Sequence, residues 1–441
     1  MAKRRTDLET IWRGIEQAGS IDAYVNAQLL ELGFMIERRE TDGMSKNELA
    51  RYKKSLKEES AEKKRLKSEA WKAYRSRHIV HLGEGIYWND NDDFDKWDLD
   101  EPERRAAQNE LPSIDKPAQL AKMLGLSISE LRWMAFHRDA ATSLHYRRFT
   151  IAKRDGSPRP IWAPLPKLKE AQRWVLRNIV EKLLVQGSAH GFLPGRSIAT
   201  NAAAHCDSKI ILKMDLRNFF PTVTYRRTKG LFRKAGYREQ IATLLALLCT
   251  ESPREIVQRN GKTYYVALGP RCLPQGAPTS PGISNAICLK LDCRLAGLAD
   301  KFGWRYTRYA DDLTFSFPNT TSKKHERTQL AAVKGCVAKI VSDEGFKIHP
   351  DKTRVIRAGS CQRVTGLVVN GSARPRSPRK TRRNLRAAIH NLANGKPLRN
   401  GETIDTLRGM AAFVGMTDRS LGRQMLQQIN AIIEAKNSGQ V

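Results

Sequence analysis

The stretch Trp304-Arg305-Tyr306-Thr307-Arg308-Tyr309-Ala310-Asp311-Asp312-Leu313-Thr314-Phe315-Ser316-Phe317 decides the fold. Apolar residues alternate on both sides of Ala310-Asp311-Asp312, the pattern of two half-buried strands joined by a tight turn. It reads as a β-hairpin with two carboxylates at its tip. Adjacent aspartates repel one another and are costly to desolvate, so taken alone the pair reads first as a solvated turn. A second stretch changes the weighing. Ile210-Ile211-Leu212-Lys213-Met214-Asp215 is an apolar run, read as a buried strand, that ends on a carboxylate. A divalent cation removes the penalty of gathering such groups. Mg²⁺ takes hard oxygen ligands and keeps positions for water and phosphate oxygens. Two such ions about 4 Å apart can activate a hydroxyl and stabilise a leaving pyrophosphate. Side chains alternate along a strand, so the turn must aim at least one of Asp311 and Asp312, and Asp215 must come from a neighbouring strand.

The chain has 441 residues, enough for two or three domains. Lys plus Arg total 77 against 46 Asp plus Glu, a formal charge of +31. That excess predicts a polyanionic partner, because cationic side chains displace condensed counterions from a phosphate backbone. A membrane is the rival partner, but no run of about 18 apolar residues is present, and Met1-Ala2-Lys3-Arg4-Arg5 leads into no apolar secretion core. The seven cysteines include no Cys-x-x-Cys pair, and Cys288 and Cys293 have no His at ligand spacing. Reduced, mostly buried cysteines in the cytoplasm are expected rather than a zinc site.

Residues 1–110 differ in composition from the rest and form a charged, mainly helical N-terminal extension. Ser45 and Glu48 make a capping box for a Lys-, Arg- and Glu-rich helix that runs to about Arg77. Its apolar positions are sparse, so it is solvated or contacts RNA rather than forming core. The acidic run from Asp90 to Glu101 has Asp95 where a calcium loop needs glycine and reads as a linker. Asp115, and Ser127 with Glu130, each cap a short helix. Tyr146 to Ile161 alternates around Arg154-Asp155-Gly156-Ser157-Pro158, a basic hairpin. An amphipathic helix is predicted over roughly Leu168 to Leu184. Past residue 370 the chain is basic again, with Arg379, Arg382 and Arg383 at the start of a helical segment.

Several motifs in order carry a resemblance. Asp215-Leu216-Arg217-Asn218-Phe219-Phe220 is followed by Leu273-Pro274-Gln275-Gly276-Ala277-Pro278-Thr279-Ser280-Pro281 with Asn285 beyond. Tyr309-Ala310-Asp311-Asp312 and Gly345-Phe346-Lys347-Ile348 with Lys352-Thr353 complete the set. On these the chain resembles bacterial reverse transcriptases across roughly residues 112 to 420. The resemblance implies an α+β right-hand polymerase: fingers at 111–208, palm at 209–370, a basic helical thumb at 371–441, and the extension at 1–110. It implies catalytic, metal-binding carboxylates at Asp215, Asp311 and Asp312, holding two Mg²⁺ ions with Mn²⁺ as a substitute. Lys352 is then a proton donor to pyrophosphate, and Phe220 a steric gate against a 2′-hydroxyl. Backbone amides of Asn218 and Phe219 face the triphosphate, Gln275 packs near the nucleotide sugar, and Lys153 and Arg159 clamp phosphates. Arg196, in Gly191-Phe192-Leu193-Pro194-Gly195-Arg196, contacts the template, and Arg379, Arg382 and Arg383 grip duplex phosphates.

Asn201-Ala202-Ala203-Ala204-His205 and Val364-Thr365-Gly366 are similar to short elements of retron reverse transcriptases. Asn201, His205 and Thr365 become RNA-binding candidates on that basis, while His205 reads by itself as a helix residue packed on the palm. The retron resemblance implies a bacterial, cytoplasmic RNA-directed DNA polymerase. Its partners would be a structured noncoding RNA, the RNA–DNA product, deoxynucleoside triphosphates, and an effector protein in antiphage defence. The product would be branched multicopy single-stranded DNA. A group II intron-like enzyme is the alternative, weakened by the lack of a His/Cys cluster after residue 420. A catalytically idle RNA-binding scaffold is the third reading, and the three aspartates speak against it. The extension offers no motif; RNA binding, effector binding and self-association all remain open to it.

Overall fold

The apolar run before Asp215 becomes the strand Ser208–Asp215, in which Ile210, Ile211 and Leu212 are fully buried. It is central in a four-stranded sheet ordered Arg305–Tyr309, Asp312–Pro318, Ser208–Asp215, Arg354–Arg357, with every pairing antiparallel. A central strand is covered on both faces, which is why the run is apolar at consecutive positions. The fold is that of a computed structural model, which describes residues 8–89, 95, 97–152, 156–319, 326–371, 374–398 and 401–437. The helix Leu289–Lys301 packs on the strand Arg305–Tyr309 and on the helix Glu326–Asp343.

The chain forms two compact units. One comprises residues up to Asp98 together with Ile114–His137 and Arg238–Ile241; the other comprises Leu99–Ser113, Arg138–Tyr237 and Ala242 onward. This differs from a boundary expected at residue 110. In the first unit the His137 amide donates to the Leu82 carbonyl at 2.8 Å, and the helix Lys46–Arg77 packs against Ile128–Ala135. In the second, the helix Pro102–Gln108 packs on Tyr225–Ala235 so closely that a β-carbon on Gly236 would lie 2.2 Å from the Ala106 nitrogen. Neither attachment leaves a mark in local composition.

The capping boxes at Ser45–Glu48 and Ser127–Glu130 form as read. The expected Asp115 cap does not. That helix runs Pro117–Met123 with Lys116 in the cap position, and the Gln119 side chain accepts from the Asp115 and Lys116 amides. The helix expected over 168–184 is Pro166–Asn178 followed by a short 3₁₀ turn, Val180–Lys182. The basic hairpin pairs Tyr146–Ala152 with Pro158–Pro164. Its tip, including the phosphate-clamp candidate Lys153, and the acidic residues Asp90, Asp92 and Asp93 lie outside the described residues. Of the seven cysteines, Cys206, Cys249, Cys272 and Cys288 are buried. Among the described residues, no helix is long and apolar enough to cross a membrane.

Three C-terminal helices, Arg379–Ala393, Ile404–Gly415 and Arg419–Asn437, share a core of Leu385, Ile389, Leu407, Val414, Met425 and Ile429. The last two meet at a pair of glycines, where a β-carbon on Gly422 would lie 2.3 Å from the Gly415 α-carbon. Gly422→Ala is therefore expected to lower the melting temperature by several degrees, since backbone must move to admit the methyl. Gly409→Ala, on an exposed helical turn with open space around it, should instead stabilise by about 0.5–1 kcal/mol. Calorimetry on the two variants checks both signs.

Candidate active site

The turn between the strands Arg305–Tyr309 and Asp312–Pro318 is two residues long, Ala310 and Asp311, closed by the pair Tyr309 and Asp312. Ala310 has φ +56°. Positive φ at the first central position alone is the pattern of a type II′ turn, where glycine is preferred. An alanine held there stores about 1–2 kcal/mol.

Arg308 holds it. The side chain is fully buried, and its Nη1 donates to the Ala310 carbonyl at 3.1 Å and to Asn285 Oδ1 at 3.0 Å. Its Nε and Nη2 donate to the Asp292 carboxylate at 2.8 and 2.7 Å, and the Tyr306 hydroxyl donates to the same carboxylate at 2.8 Å. Asn285 Nδ2 in turn donates to the Gly191 carbonyl at 2.8 Å. The loop that carries Gly191 lies on the turn itself: a β-carbon on Gly191 would be 2.8 Å from the Ala310 nitrogen. Arg196 braces that loop by donating to the Gly187 carbonyl and, at 2.9 Å, to the Ala189 carbonyl.

Asp311 and Asp215 line one cleft of ≈ 840 Å³. Asp312 lies beside Asp215 in register but is not among the lining residues, so the turn aims one of the two adjacent carboxylates into the cleft. Burial, and then the charge of Asp215, push the Asp311 carboxyl up to about 6. Burial also raises Asp312, against the pull of Lys213. Lys352 Nζ donates to both Asp215 oxygens, at 3.0 and 3.1 Å. Two amides fix the backbones: Leu216 donates to the Asp311 carbonyl at 2.9 Å, and His349 to the Asp215 carbonyl at 2.7 Å.

Among the described residues no three acidic, His or Cys side chains form a ready-made cage for a metal ion. Mg²⁺ does not need one, because it commonly binds through one or two carboxylates plus water and substrate phosphates. The donor set fits it: hard carboxylate oxygens on Asp215 and Asp311, buried and crowded enough to raise the Asp311 pKa, are what a dication relieves.

The lining of the cleft also includes Arg159, Gln275, Asn218, Phe219 and Phe220. The Phe219 ring is buried, packed on Phe346 with centroids 5.7 Å apart, while the neighbouring Phe220 is half-buried. The Trp162 amide donates to the Gln275 carbonyl at 2.7 Å, and a β-carbon on Gly276 would meet the Trp162 carbonyl at 2.8 Å. The Pro-Gln-Gly loop thus docks directly on the basic hairpin.

Asn201 and His205, expected to contact RNA, are fully buried, and Thr365, expected with them, is half-buried. Thr365 donates to the Ile198 carbonyl at 3.0 Å, and Asn201, fully buried, reaches Thr365 at 3.5 Å. Both His205 ring nitrogens are hydrogen-bonded, to Ser316 and Thr307 hydroxyls at 2.7 Å each. Burial, helped by Arg305, holds its pKa down to about 3, so the imidazole is neutral and offers RNA no free nitrogen. Arg379 and Arg383 are exposed at the start of the first C-terminal helix and Arg382 is half-buried there, none of them lining the cleft.

Two features escaped the sequence reading. The Arg308–Asp292 pair left one trace, a charged residue inside an apolar alternation. Phe192 also lines the cleft, exposed, with φ +60° and its ring centroid 6.2 Å from that of Tyr309; only a bulky residue in a Gly-Pro-rich loop hinted at it.

Residues 151–382 match the family described as reverse transcriptase (RNA-dependent DNA polymerase). The chain is 51% identical over 95% of its length, and 88% of the relative's, to the retron Mx162 reverse transcriptase of Myxococcus xanthus. It is 43% identical to the retron Mx65 reverse transcriptase of the same organism over 72% of each chain. To the retron Ec86 reverse transcriptase of Escherichia coli it is 32% identical, over 73% of this chain and 91% of that one.

Removing one member of the buried pair strands the other. Arg308→Met is expected to destabilise by about 3–5 kcal/mol, while Arg308→Met with Asp292→Leu recovers most of the loss; chemical denaturation of the single and double variants measures this. Asp311 gives the opposite sign. Its folded pKa of about 6 lies above the unfolded value of about 3.9. Ionisation therefore opposes folding, and stability falls as pH rises between the two values. Asp311→Asn should stabilise the metal-free protein by about 2–3 kcal/mol at pH above about 7 and change little at pH about 4. An Asn variant no more stable at neutral pH would contradict the crowding of these carboxylates.

Proposed function

Because the chain belongs to the reverse transcriptases, and among them to the retron type, we propose that this RNA-directed DNA polymerase copies a structured noncoding RNA into branched multicopy single-stranded DNA. Antiphage defence, with an effector protein, is the setting that the retron type suggests. The observation that carries the proposal is the convergence of Asp215 and Asp311 with Arg159, Gln275 and Phe220 in the lining of one cleft.

The four-stranded sheet serves as the palm, the basic hairpin as part of the fingers, and the three C-terminal helices as the thumb. Asp215 and Asp311, with Asp312 alongside, would hold two Mg²⁺ ions, replaceable by Mn²⁺, whose charge would make the 3′-hydroxyl nucleophilic and stabilise the leaving pyrophosphate. The protein's own groups do the rest. Arg159 orients the phosphates through its guanidinium fork. The backbone amides of Asn218 and Phe219, at the αL turn that opens the helix Phe219–Thr222, would face the triphosphate. Lys352 neutralises Asp215 at 3.0 Å and is placed to protonate the pyrophosphate. Phe220, held by the buried Phe219, closes the space under the sugar. Arg379, Arg382 and Arg383 supply charge for duplex phosphates.

Nucleic acid co-purified from cells carrying the native locus tests the proposal. A discrete RNA bearing DNA on a 2′–5′ branch, released by debranching enzyme, is the expected product. Unbranched DNA would keep the polymerase and reject the branched product. Asp311→Asn should abolish DNA synthesis while leaving RNA affinity near wild type. Phe220→Ala should erode discrimination against ribonucleotides by about 10–100-fold, read as the ratio of kcat/KM values for the two sugars.

A further inference from the structure

The helix Lys46–Arg77 buries none of its residues, yet it carries an ordered set of aromatic rings. Trp71 and Tyr74 fall at i and i+3 on one stripe of the helix surface, and His78 follows as the extended residue that caps its C-terminus. Their rings form a continuous stack. Trp71 and Tyr74 are 5.9 Å apart with planes 13° from parallel, and Tyr74 and His78 are 4.2 Å apart at 6°. Trp71, at one end, is 50% exposed, and His78, at the other, is also exposed. The helix packs against Ile128–Ala135, and the Trp71 side chain nonetheless stays half open to solvent.

The charge around the stack is one-sided. The helix holds twelve Lys and Arg against five Glu. Its ion pairs Lys54–Glu58, Lys63–Glu59 and Arg65–Glu62 all precede the rings in the chain. From Ala70 to His78 there is no acidic residue, while Lys72, Arg75 and Arg77 surround the rings. The helix dipole favours cations in a last turn, but it does not call for stacked aromatics. Aromatic faces interleaved with cations are the chemistry that binds single-stranded nucleic acid, with stacking on the base and charge on the phosphates.

We infer that the Trp71–Tyr74–His78 stack is a platform for an unpaired base of a bound nucleic-acid strand, whose phosphates lie along Lys72, Arg75 and Arg77. The inference rests on the reading of the chain as an enzyme that holds RNA and its DNA copy. Both have unpaired segments, and the platform recognises the chemistry they share.

Photo-cross-linking of the full-length protein decides it. Two short unstructured probes of one sequence are used, a 4-thiouridine RNA and a 4-thiothymidine DNA. The expected result is a cross-link in the peptide that contains Trp71 to His78. A cross-link from RNA alone assigns the platform to the RNA, and one from DNA alone assigns it to the product. In the Trp71→Ala/Tyr74→Ala variant the cross-link should disappear and affinity for the assigned probe fall about tenfold, while Trp71→Phe retains both. Primer extension on oligo(dT)-primed poly(rA) should be unchanged in all variants. No cross-link at this peptide from either probe, or unchanged affinity in the double variant, overturns the inference while extension still stands. Failure of extension by the wild type would instead strike the polymerase reading.

Discussion

The buried ion pair between Arg308 and Asp292 is the constraint on which the site depends. Both side chains are fully shielded from solvent. Taking two charges out of water is expensive, and their attraction offsets the penalty only when every donor and acceptor is satisfied. Arg308 meets that condition because a guanidinium presents five N–H donors in one plane. It reaches a carboxylate, an amide and a backbone carbonyl at once. One side chain therefore sets the register of two helices, of the hairpin turn and, through Asn285, of the loop at Gly191. A lysine, with a single charged nitrogen, could not span those partners.

That rigidity is spent on an arrangement that is unfavourable in isolation. Asp311 sits close enough to Asp215, and buried enough, for its carboxyl to hold a proton well above the usual range. Ala310, Phe192 and Asn218 all line the cleft with positive φ and no glycine to ease it. Such strain persists only where the surroundings over-determine the conformation. Here the surroundings are backbone packed on backbone, at Gly191 against Ala310 and at Gly276 against Trp162. The two glycines are required by contact with a neighbouring segment, one of them at φ +121° as well.

The two short elements that point to the retron type have a structural reason to occur together. The helix Ile198–Ala203 packs on the strands Arg363–Val364 and Leu367–Val368, and Ala202, Cys206, Ile211, Val364, Leu367 and Val369 share one core. Phe413, from the C-terminal helices, packs against the same core. Asn201, His205 and Thr365 are thus parts of a joint between the sheet and the C-terminal bundle.

By itself the sequence determined the elements whose patterns are local. The central strand, the Asp-Asp hairpin, the Ser45–Glu48 cap and the basic hairpin follow from period-2 alternation, a capping box and turn residues, all written within a few positions. It also determined the carboxylates of the site, because charge at the end of an apolar strand is conspicuous without knowledge of the fold. Tertiary structure alone decided which of Asp311 and Asp312 faces the cleft, that His205 points inward, and that Ile114–His137 joins the N-terminal unit. It alone paired Arg308 with Asp292. These outcomes rest on contacts between segments far apart in the chain, whose energies depend on distance, burial and the satisfaction of each polar atom. A run of residues carries no measure of those quantities until the chain has closed on itself.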